Sequence, residues 1–254
     1  MFSSAIVRIP GKSLIDGLTD SKHLGVPDYA NAINQHKSYI EALQFCGLEV
    51  TILDQCEEYP DSTFVEDVAL ITPRCAIITR PGAESRRGEV EKIISVLETQ
   101  FNNLEAIEAP GTIEAGDIMM VGSHYYIGLS DRTNIQGAKQ LINLLEKHGY
   151  TGSTVNLKDV LHLKTGLSYL ENNMLVVCGE FISDPIFSEF EQIEIPQSES
   201  YAANSIWVND NVIIPSGYPV AKDKISASGY NVLEVDVSEF KKLDGGLSCL
   251  SLRY

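Results

Sequence analysis

One pattern of secondary structure recurs along this chain and restricts what it can fold into: two short strands joined by a tight turn, then a helix, then a third strand. Hydrophobic periodicity predicts the unit first over residues 64–107, with a helix from Ser85 to Phe101. Further copies are predicted over residues 117–157, 161–195 and 205–235. A three-layer α/β sheet would instead alternate single strands with single helices. The sequence therefore predicts an α/β fold made of ββαβ repeats.

The two ends of the chain each carry part of one more repeat. Residues 5–53 supply a strand, a helix and a strand, and residues 247–254 supply the missing piece. A repeat period of 40 to 50 residues is typical of radial arrays, which close by completing one repeat from both termini. We therefore predict a five-bladed α/β propeller with pseudo-fivefold symmetry, formed as a single domain over residues 1–254.

Polar side chains stand at the start of the first strand in every predicted repeat, where a buried strand would favour apolar residues. Glu66, Glu114 and His162 are spaced by 48 residues each, and Asn204 and Cys249 follow after 42 and 45. Fivefold pseudosymmetry predicts that these side chains converge on one cavity. A cysteine with a histidine in reach is a candidate thiolate nucleophile with a general acid and base, and grouped carboxylates favour a bound cation. The spacing indicates cysteine chemistry on a cationic substrate.

Each of these residues has a plainer interpretation when it is taken alone. A lone cysteine such as Cys249 is most often a small buried residue, and His162 between two leucines is most often a hydrogen-bonded core residue. Their shared position in the repeat is what favours the catalytic interpretation.

Composition narrows the class of partner. The chain has 254 residues with 19 Lys and Arg against 35 Asp and Glu, a formal net charge of -16 at pH 7, which argues against nucleic acid and anionic membrane. A negative net charge of this size can also serve only to keep a protein soluble.

The five cysteines include no CxxC pair, which argues against a disulfide framework and a structural zinc site. No stretch reaches the about 18 apolar residues that a membrane-spanning helix needs. We expect a cytoplasmic protein that uses no metal or cofactor, with a homodimer left open.

Six segments form specific motifs that span nearly the whole chain. They are FVED at 64–67, ITRPGAESRR at 78–87, EAGD at 114–117, GLSDRTN at 128–134, LHLK at 161–164 and DGGLSC at 244–249. These motifs resemble the guanidino-group-modifying enzymes, and most closely the dimethylarginine dimethylaminohydrolase family. The resemblance implies the pentein-type five-bladed propeller. It also implies hydrolysis of asymmetric dimethylarginine or monomethylarginine to L-citrulline and dimethylamine or methylamine.

The resemblance further implies roles for single residues. Cys249 would form a covalent adduct with the substrate, His162 would act as acid and base, and Glu114 would complete the catalytic set. Acidic residues would surround the guanidinium, two arginines would take the substrate carboxylate, and an N-terminal lid would border the amino-acid end. The residues implied for substrate binding are Leu18, Asp61, Glu66, Asp67, Arg86, Arg132 and Leu243.

Two other functions stay open. Arginine deiminases and amidinotransferases follow the histidine with Leu or Ile and then Asp, whereas this chain has Lys164 in place of the Asp. A non-catalytic arginine-binding propeller is the second alternative. Because a lysine offers no acceptor to a guanidinium, we expect Lys164 to turn away from that site and leave room for methyl groups. The sequence does not choose between mono- and dimethylated arginine.

Overall fold

A computed structural model describes all residues from Met1 to Tyr254. The strands are β1 Ser4–Arg8, β2 Glu49–Leu53, β3 Ala69–Ile71, β4 Ala76–Ile78, β5 Leu104–Ala106, β6 Ile118–Val121, β7 His124–Leu129, β8 Thr151–Asn156, β9 Leu167–Tyr169, β10 Met174–Val177, β11 Glu191–Glu194, β12 Ile206–Val208, β13 Asn211–Pro215, β14 Asn231–Val235 and β15 Leu252–Arg253. The α-helices are α1 Tyr29–Phe45, α2 Glu91–Gln100, α3 Ile135–Lys147, α4 Leu163–Gly166, α5 Pro219–Ala227 and α6 Ser238–Lys241. No helix among them is both long and apolar enough to cross a membrane.

The strands form five three-stranded sheets of the same construction. Their orders are β3-β4-β5, β6-β7-β8, β9-β10-β11, β12-β13-β14 and β15-β1-β2. In each sheet the central strand pairs antiparallel with one neighbour and parallel with the other. A tight turn joins only antiparallel strands, whereas a parallel partner needs a longer crossover. The predicted ββαβ unit is therefore present, although residues 178–190 cross over through short 3-10 turns and not through an α-helix.

The chain divides into two compact units, one of residues 1–65 with 166–254 and one of residues 66–165. The first unit holds sheets β15-β1-β2, β9-β10-β11 and β12-β13-β14, and the second holds the other two. In the second unit the apolar sides of α3 and of both sheets share one buried cluster, which includes Ile77, Ile127 and Leu141. Burial of such side chains is the main stabilising contribution to each unit.

A short helical turn precedes the first strand of every sheet, and in three of the repeats it lies where the sequence predicts the strand itself. These turns are Val65–Val68, Ala115–Asp117, Leu163–Gly166, Gln197–Ala203 and Ser248–Leu250. Adjacent residues of a strand point to opposite faces, so Glu66 and Asp67 could not both be buried on one side of a strand. Inside a turn both are buried, with 5% and 3% of their surfaces exposed. The predicted strand starts at Phe64, Leu161 and Leu247 are therefore wrong by about one turn, whereas those at Asp117 and Ser205 lie one residue before the observed strands.

The predicted helix from Ser85 to Phe101 is also two elements. A 3-10 segment covers Glu84–Val90, and α2 begins at Glu91. Gly88 lies within the 3-10 segment, where its low helix propensity weakens a continuous α-helix. The break matters because the 3-10 segment carries Arg86, one of the predicted binding residues.

Candidate active site

Three titratable side chains meet inside the unit of residues 66–165. His162 Nε2 lies 2.9 Å from Glu114 Oε2, and one ligand-type atom from each of Asp67, Glu114 and His162 lies within 4.8 Å of the others. Asp67 and Glu114 are buried, whereas the His162 side chain keeps 12% of its surface exposed. We call these three residues the acid-imidazole cluster. The structure thus brings two of the three predicted catalytic residues into direct contact.

The charges of the cluster stabilise one another. Burial alone would lower the pKa of His162, but its hydrogen bond with Glu114 and the nearby charges of Asp117 and Asp67 raise it to about 9. Burial opposes the charged form of Glu114 as well, yet the hydrogen bond with His162 lowers its pKa overall. At neutral pH the cluster therefore holds an imidazolium beside a carboxylate.

Arg86 is buried and paired with two acids. Its Nη1 lies 2.6 Å from Asp67 Oδ2, and its Nη2 lies 2.9 Å from Glu89 Oε2. Burial opposes its charge, but Glu89 and Asp67 raise the pKa of Arg86 well above its ordinary value. Sequence reasoning missed Glu89, although the spacing of three residues from Arg86 on one helical turn was an available signal. Arg86 is thus firmly held beside the cluster.

Arg132, the second arginine predicted to take a carboxylate, has a different setting. Its Nη1 lies 3.8 Å from Glu114 Oε1, and 24% of its side chain is exposed. A partly exposed guanidinium is available to an additional anion in a way that a buried, doubly paired one is not. Of the two arginines, Arg132 is the better placed for that task.

Lys164 does not turn away from the predicted guanidinium-binding acids. Its Nζ lies 2.5 Å from Glu66 Oε1, and the two side chains are 16% and 7% exposed. The sequence-based expectation for Lys164 is therefore wrong, and the reason is electrostatic. A carboxylate as buried as Glu66 needs a positive partner or a proton, and the ammonium supplies the positive charge.

Backbone contacts fix the cluster in place. The Gly116 N–H donates to Asp67 Oδ1 at 3.1 Å, and a Cβ at this glycine would lie 3.0 Å from that oxygen and from His162 Cγ. Asp117, which is fully buried, accepts from the N–H of Leu163 at 3.0 Å. Sequence reasoning singled out neither contact, because both join turns from different repeats.

The acid-imidazole cluster has the residue types of a metal site, but its side chains already engage other protein groups. His162 Nε2 lies 2.9 Å from Glu114 Oε2, and a metal ion would have to replace this hydrogen bond. Asp67 Oδ2 is already engaged by Arg86. Carboxylates held beside N–H donors are suited to a planar organic cation such as a guanidinium.

Three of the predicted substrate-binding residues come together in the other unit. The Leu18 N–H donates to Asp61 Oδ1 at 3.0 Å, and a Cβ at Gly17 would lie 2.9 Å from the same oxygen and 3.1 Å from Leu243 Cδ1. Asp61 and Leu243 are buried, whereas Leu18 is 41% exposed. The predicted lid is thus anchored at Leu18, with an apolar side chain left at the surface.

Cys249 lies in the turn before β15 and is partly exposed. Its Sγ accepts from the Gly246 N–H at 3.4 Å. Three of the other cysteines are less suited to reaction, since burial raises the pKa of Cys46 to about 11 and also raises those of Cys75 and Cys178. No disulfide forms among the five. Cys249 and Cys56 are the two partly exposed cysteines, and of these Cys249 lies in one of the turns that carry the predicted site residues.

Comparison with known proteins decides the family. A sequence model described as N,N dimethylarginine dimethylhydrolase, eukaryotic, matches residues 27–250. The N(G),N(G)-dimethylarginine dimethylaminohydrolase of Pseudomonas aeruginosa is 60% identical, with 100% of both chains covered. This chain belongs to the dimethylarginine dimethylaminohydrolase family.

Solved structures of the family extend the comparison to the fold. A cysteine-to-serine mutant of the Pseudomonas aeruginosa protein, complexed with citrulline, matches with a TM-score of 0.99 at 60% identity over 100% of both chains. A dimethylarginine dimethylaminohydrolase with a histidine-to-glycine substitution, in an adduct with S-methyl-L-thiocitrulline, also matches with a TM-score of 0.99 at 60% identity over 100% of both chains. The predicted fold class, a pentein-type α/β propeller of five ββαβ repeats, is confirmed.

Proposed function

We propose that this protein hydrolyses N-omega-methylated L-arginine to L-citrulline, releasing dimethylamine from asymmetric dimethylarginine and methylamine from monomethylarginine. The observation that carries the proposal is the full-length identity of 60% to a dimethylarginine dimethylaminohydrolase. The contact of His162 with Glu114 and the high pKa of His162 support it chemically. Removal of an amine from a guanidinium requires a proton donor next to carboxylates that bind the cation. The protonated imidazole of His162 is such a donor.

In the proposed reaction the Cys249 thiolate attacks the central guanidinium carbon and forms a C–S bond. His162 donates its proton to the departing nitrogen, so that the C–N bond breaks to give a neutral amine and a covalent thiouronium adduct. The neutral imidazole then takes a proton from water, and the hydroxide adds to the same carbon. The C–S bond breaks to release the Cys249 thiolate, and the added hydroxyl gives up its proton to the released amine, which leaves neutral citrulline, a protonated amine and a protonated His162. Proximity of a bound thiolate contributes about 7 kcal/mol or more in favourable intramolecular reactions.

We assign the binding of the cation to Glu66, Asp67 and Glu114. Asp67 is oriented by Arg86 and Gly116, and Glu114 Oε1 accepts from the N–H of Ala83 at 3.1 Å. Such preorganised carboxylates hold the guanidinium plane without reorganising during the reaction.

At the amino-acid end of the substrate, Arg132 would take the substrate carboxylate. Arg86, implied by the resemblance for the same task, is held between Asp67 and Glu89 and would act by orienting Asp67. Leu18, Asp61 and Leu243 would border the α-amino side. No step of this mechanism is assigned to a metal or an organic cofactor.

One assay separates the candidate functions. The purified protein is incubated with arginine, monomethylarginine and both dimethylarginines, and citrulline and the released amine are quantified by mass spectrometry. We expect citrulline with dimethylamine or methylamine. Ammonia from arginine as the main product would support a deiminase, and binding without product would support an arginine-binding protein. Either result overturns the proposal.

We further propose that the substrate is the protein's small-molecule partner and that the protein works in the cytoplasm. The absence of disulfides among the five cysteines is compatible with a reducing compartment. Whether the protein forms a homodimer is tested by sedimentation equilibrium over a range of protein concentrations.

A further inference from the structure

The side-chain amide of Asn204 is clamped onto the turn that carries Cys249. Asn204 Oδ1 accepts from the N–H of Ser248 at 3.0 Å, and Asn204 Nδ2 donates to Ser248 Oγ at 3.0 Å. A Cβ at Gly246 would lie 2.5 Å from Asn204 Oδ1. The amide therefore packs flat on the turn and contacts it at both ends. Asn204 shares the repeat position of the predicted catalytic residues, yet the proposed reaction gives it no task.

Two donors of the same turn face the sulfur of Cys249. The Gly246 N–H lies 3.4 Å from Sγ, and Ser248 Oγ lies 4.0 Å from it. Because Ser248 Oγ accepts a hydrogen from Asn204, its own hydrogen is left to point at the sulfur. Hydrogen bonds to a charged form favour that form, so both donors would stabilise a thiolate.

The partners of this network are buried and fixed. Asn204 and Ser248 are 7% and 2% exposed, and the Tyr201 hydroxyl donates to the carbonyl of Gly245 at 2.7 Å. Water does not compete easily for hydrogen bonds so far from solvent, and the orientation of the Ser248 hydroxyl then depends on the amide of Asn204.

We propose that Asn204 is a positioning residue for Cys249: its amide orients the Ser248 hydroxyl and the Gly246 N–H toward Sγ, where they stabilise the thiolate. The proposal rests on the proposed function, in which that thiolate attacks the substrate. It adds a task for a residue that the cysteine-histidine-acid set leaves out.

Alkylation of Cys249 tests the proposal without turnover. The rate of carbamidomethylation by iodoacetamide is measured from pH 5 to 10, with peptide-level mass spectrometry to separate Cys249 from the other four cysteines. In Ser248→Ala we expect the pH midpoint of alkylation to rise by about 0.5 to 1 unit, because one donor to the charged sulfur is lost. Below the midpoint, alkylation then slows by about 3-fold to 10-fold.

Asn204→Asp is the second variant. It keeps the acceptor for the Ser248 N–H but turns the hydroxyl hydrogen toward the new carboxylate, so we expect a midpoint more than 1 unit above that of the wild type. Ser248→Ala is the more direct test of hydrogen bonding to the sulfur, because it changes no charge, whereas Asn204→Asp adds a carboxylate. The matched control is Ser251→Ala, since this buried hydroxyl of the same segment contacts Tyr39 and Arg253.

The outcomes are distinct. A raised midpoint in both variants, with the wild-type midpoint in Ser251→Ala, supports the proposal. A midpoint unchanged in either variant, with circular dichroism like that of the wild type, overturns it. If Ser248→Ala does not fold, the midpoint in Asn204→Asp decides. Because alkylation does not depend on citrulline formation, the positioning role and the hydrolase function can fail separately.

Discussion

His162 Nε2 and Glu114 Oε2 lie 2.9 Å apart although 48 residues separate them in the chain. Burial alone would discharge the imidazole, and the carboxylate is the main reason that it does not. Glu114 therefore keeps His162 protonated, so that His162 can act as the proton donor of the proposed reaction. It also makes the protonation state of His162 measurable through several independent properties.

The first prediction concerns Glu114→Gln. Loss of the carboxylate removes the largest favourable contribution to the His162 imidazolium, so the alkaline limb of kcat should move from about pH 9 to lower pH. We expect kcat at neutral pH to fall by about 10²-fold or more, as is usual when acid catalysis is impaired. The measurement is kcat against pH at saturating dimethylarginine. Glu84→Gln is the control, because this acid is 84% exposed, and an alkaline limb that stays in place in Glu114→Gln contradicts the assignment.

The same pair predicts a pH dependence of stability. The folded-state pKa of His162, about 9, lies above its ordinary value of 6.5, so the folded protein binds this proton more tightly than the unfolded chain. That stabilisation is fully present below pH 6.5 and is lost as pH rises to about 9. Urea unfolding of wild type and His162→Gln at pH 6, 7.5 and 9 should give a difference in free energy of unfolding that shrinks with rising pH. A constant difference would count against the ion pair.

A third prediction concerns the nucleophile. Cys249→Ser should abolish citrulline formation while the protein stays folded, because a serine hydroxyl ionises far less readily than a thiol. Citrulline is quantified by mass spectrometry, and folding is followed by circular dichroism. Cys56→Ser is the matched control, since Cys56 is also partly exposed and forms no disulfide. Retained turnover in Cys249→Ser would refute the assignment.

The fourth prediction separates attack from acid catalysis. His162→Gly removes the proton donor but leaves Cys249 in place. S-methyl-L-thiocitrulline loses a thiolate, which departs without a proton, whereas dimethylarginine would have to lose an amide anion. We expect intact-mass spectrometry to show a covalent adduct with the former and no citrulline from the latter. Hydrolysis of dimethylarginine at near the wild-type rate would place the acid elsewhere.

Much of the fold could be predicted from the sequence because paired strands and amphipathic helices leave periodic hydrophobic patterns. Four of the five turns before the first strands could not, since three or four residues are too few to show a period. This is why the sequence predicts Glu66 at the start of a strand and not in a turn. Contacts such as Glu66 with Lys164 span 98 residues, and no local pattern reports them. The repeat spacing predicts Glu66, Glu114, His162 and Cys249 as site residues, and the motifs indicate their roles. Their partners required the structure.

The last prediction concerns selectivity and rests on Lys164. Arginine offers five guanidinium N–H donors, and asymmetric dimethylation removes two of them. Lys164 holds Glu66 Oε1 at 2.5 Å, so this oxygen is engaged by the ammonium. An unmethylated guanidinium then leaves N–H groups unpaired, at a cost of about 1 to 3 kcal/mol for each buried donor. We therefore expect the wild type to prefer methylated arginine to arginine.

Lys164→Met should release Glu66 to accept from arginine, and Lys164→Asp adds a further acceptor in the same place. In both variants we expect the ratio of kcat/KM for dimethylarginine to that for arginine to fall by about tenfold, which corresponds to about 1.4 kcal/mol. Lys164→Arg keeps a cation on Glu66 and should keep most of the selectivity, and Lys139→Met controls for loss of an exposed lysine. Citrulline formed from each substrate under kcat/KM conditions gives the ratio. Equal activity of the wild type on arginine and dimethylarginine would show that there is no preference for the ion pair to set. The same ratio in Lys164→Met as in the wild type would show that the ion pair does not set the preference, because the released carboxylate would then have gained no N–H partner.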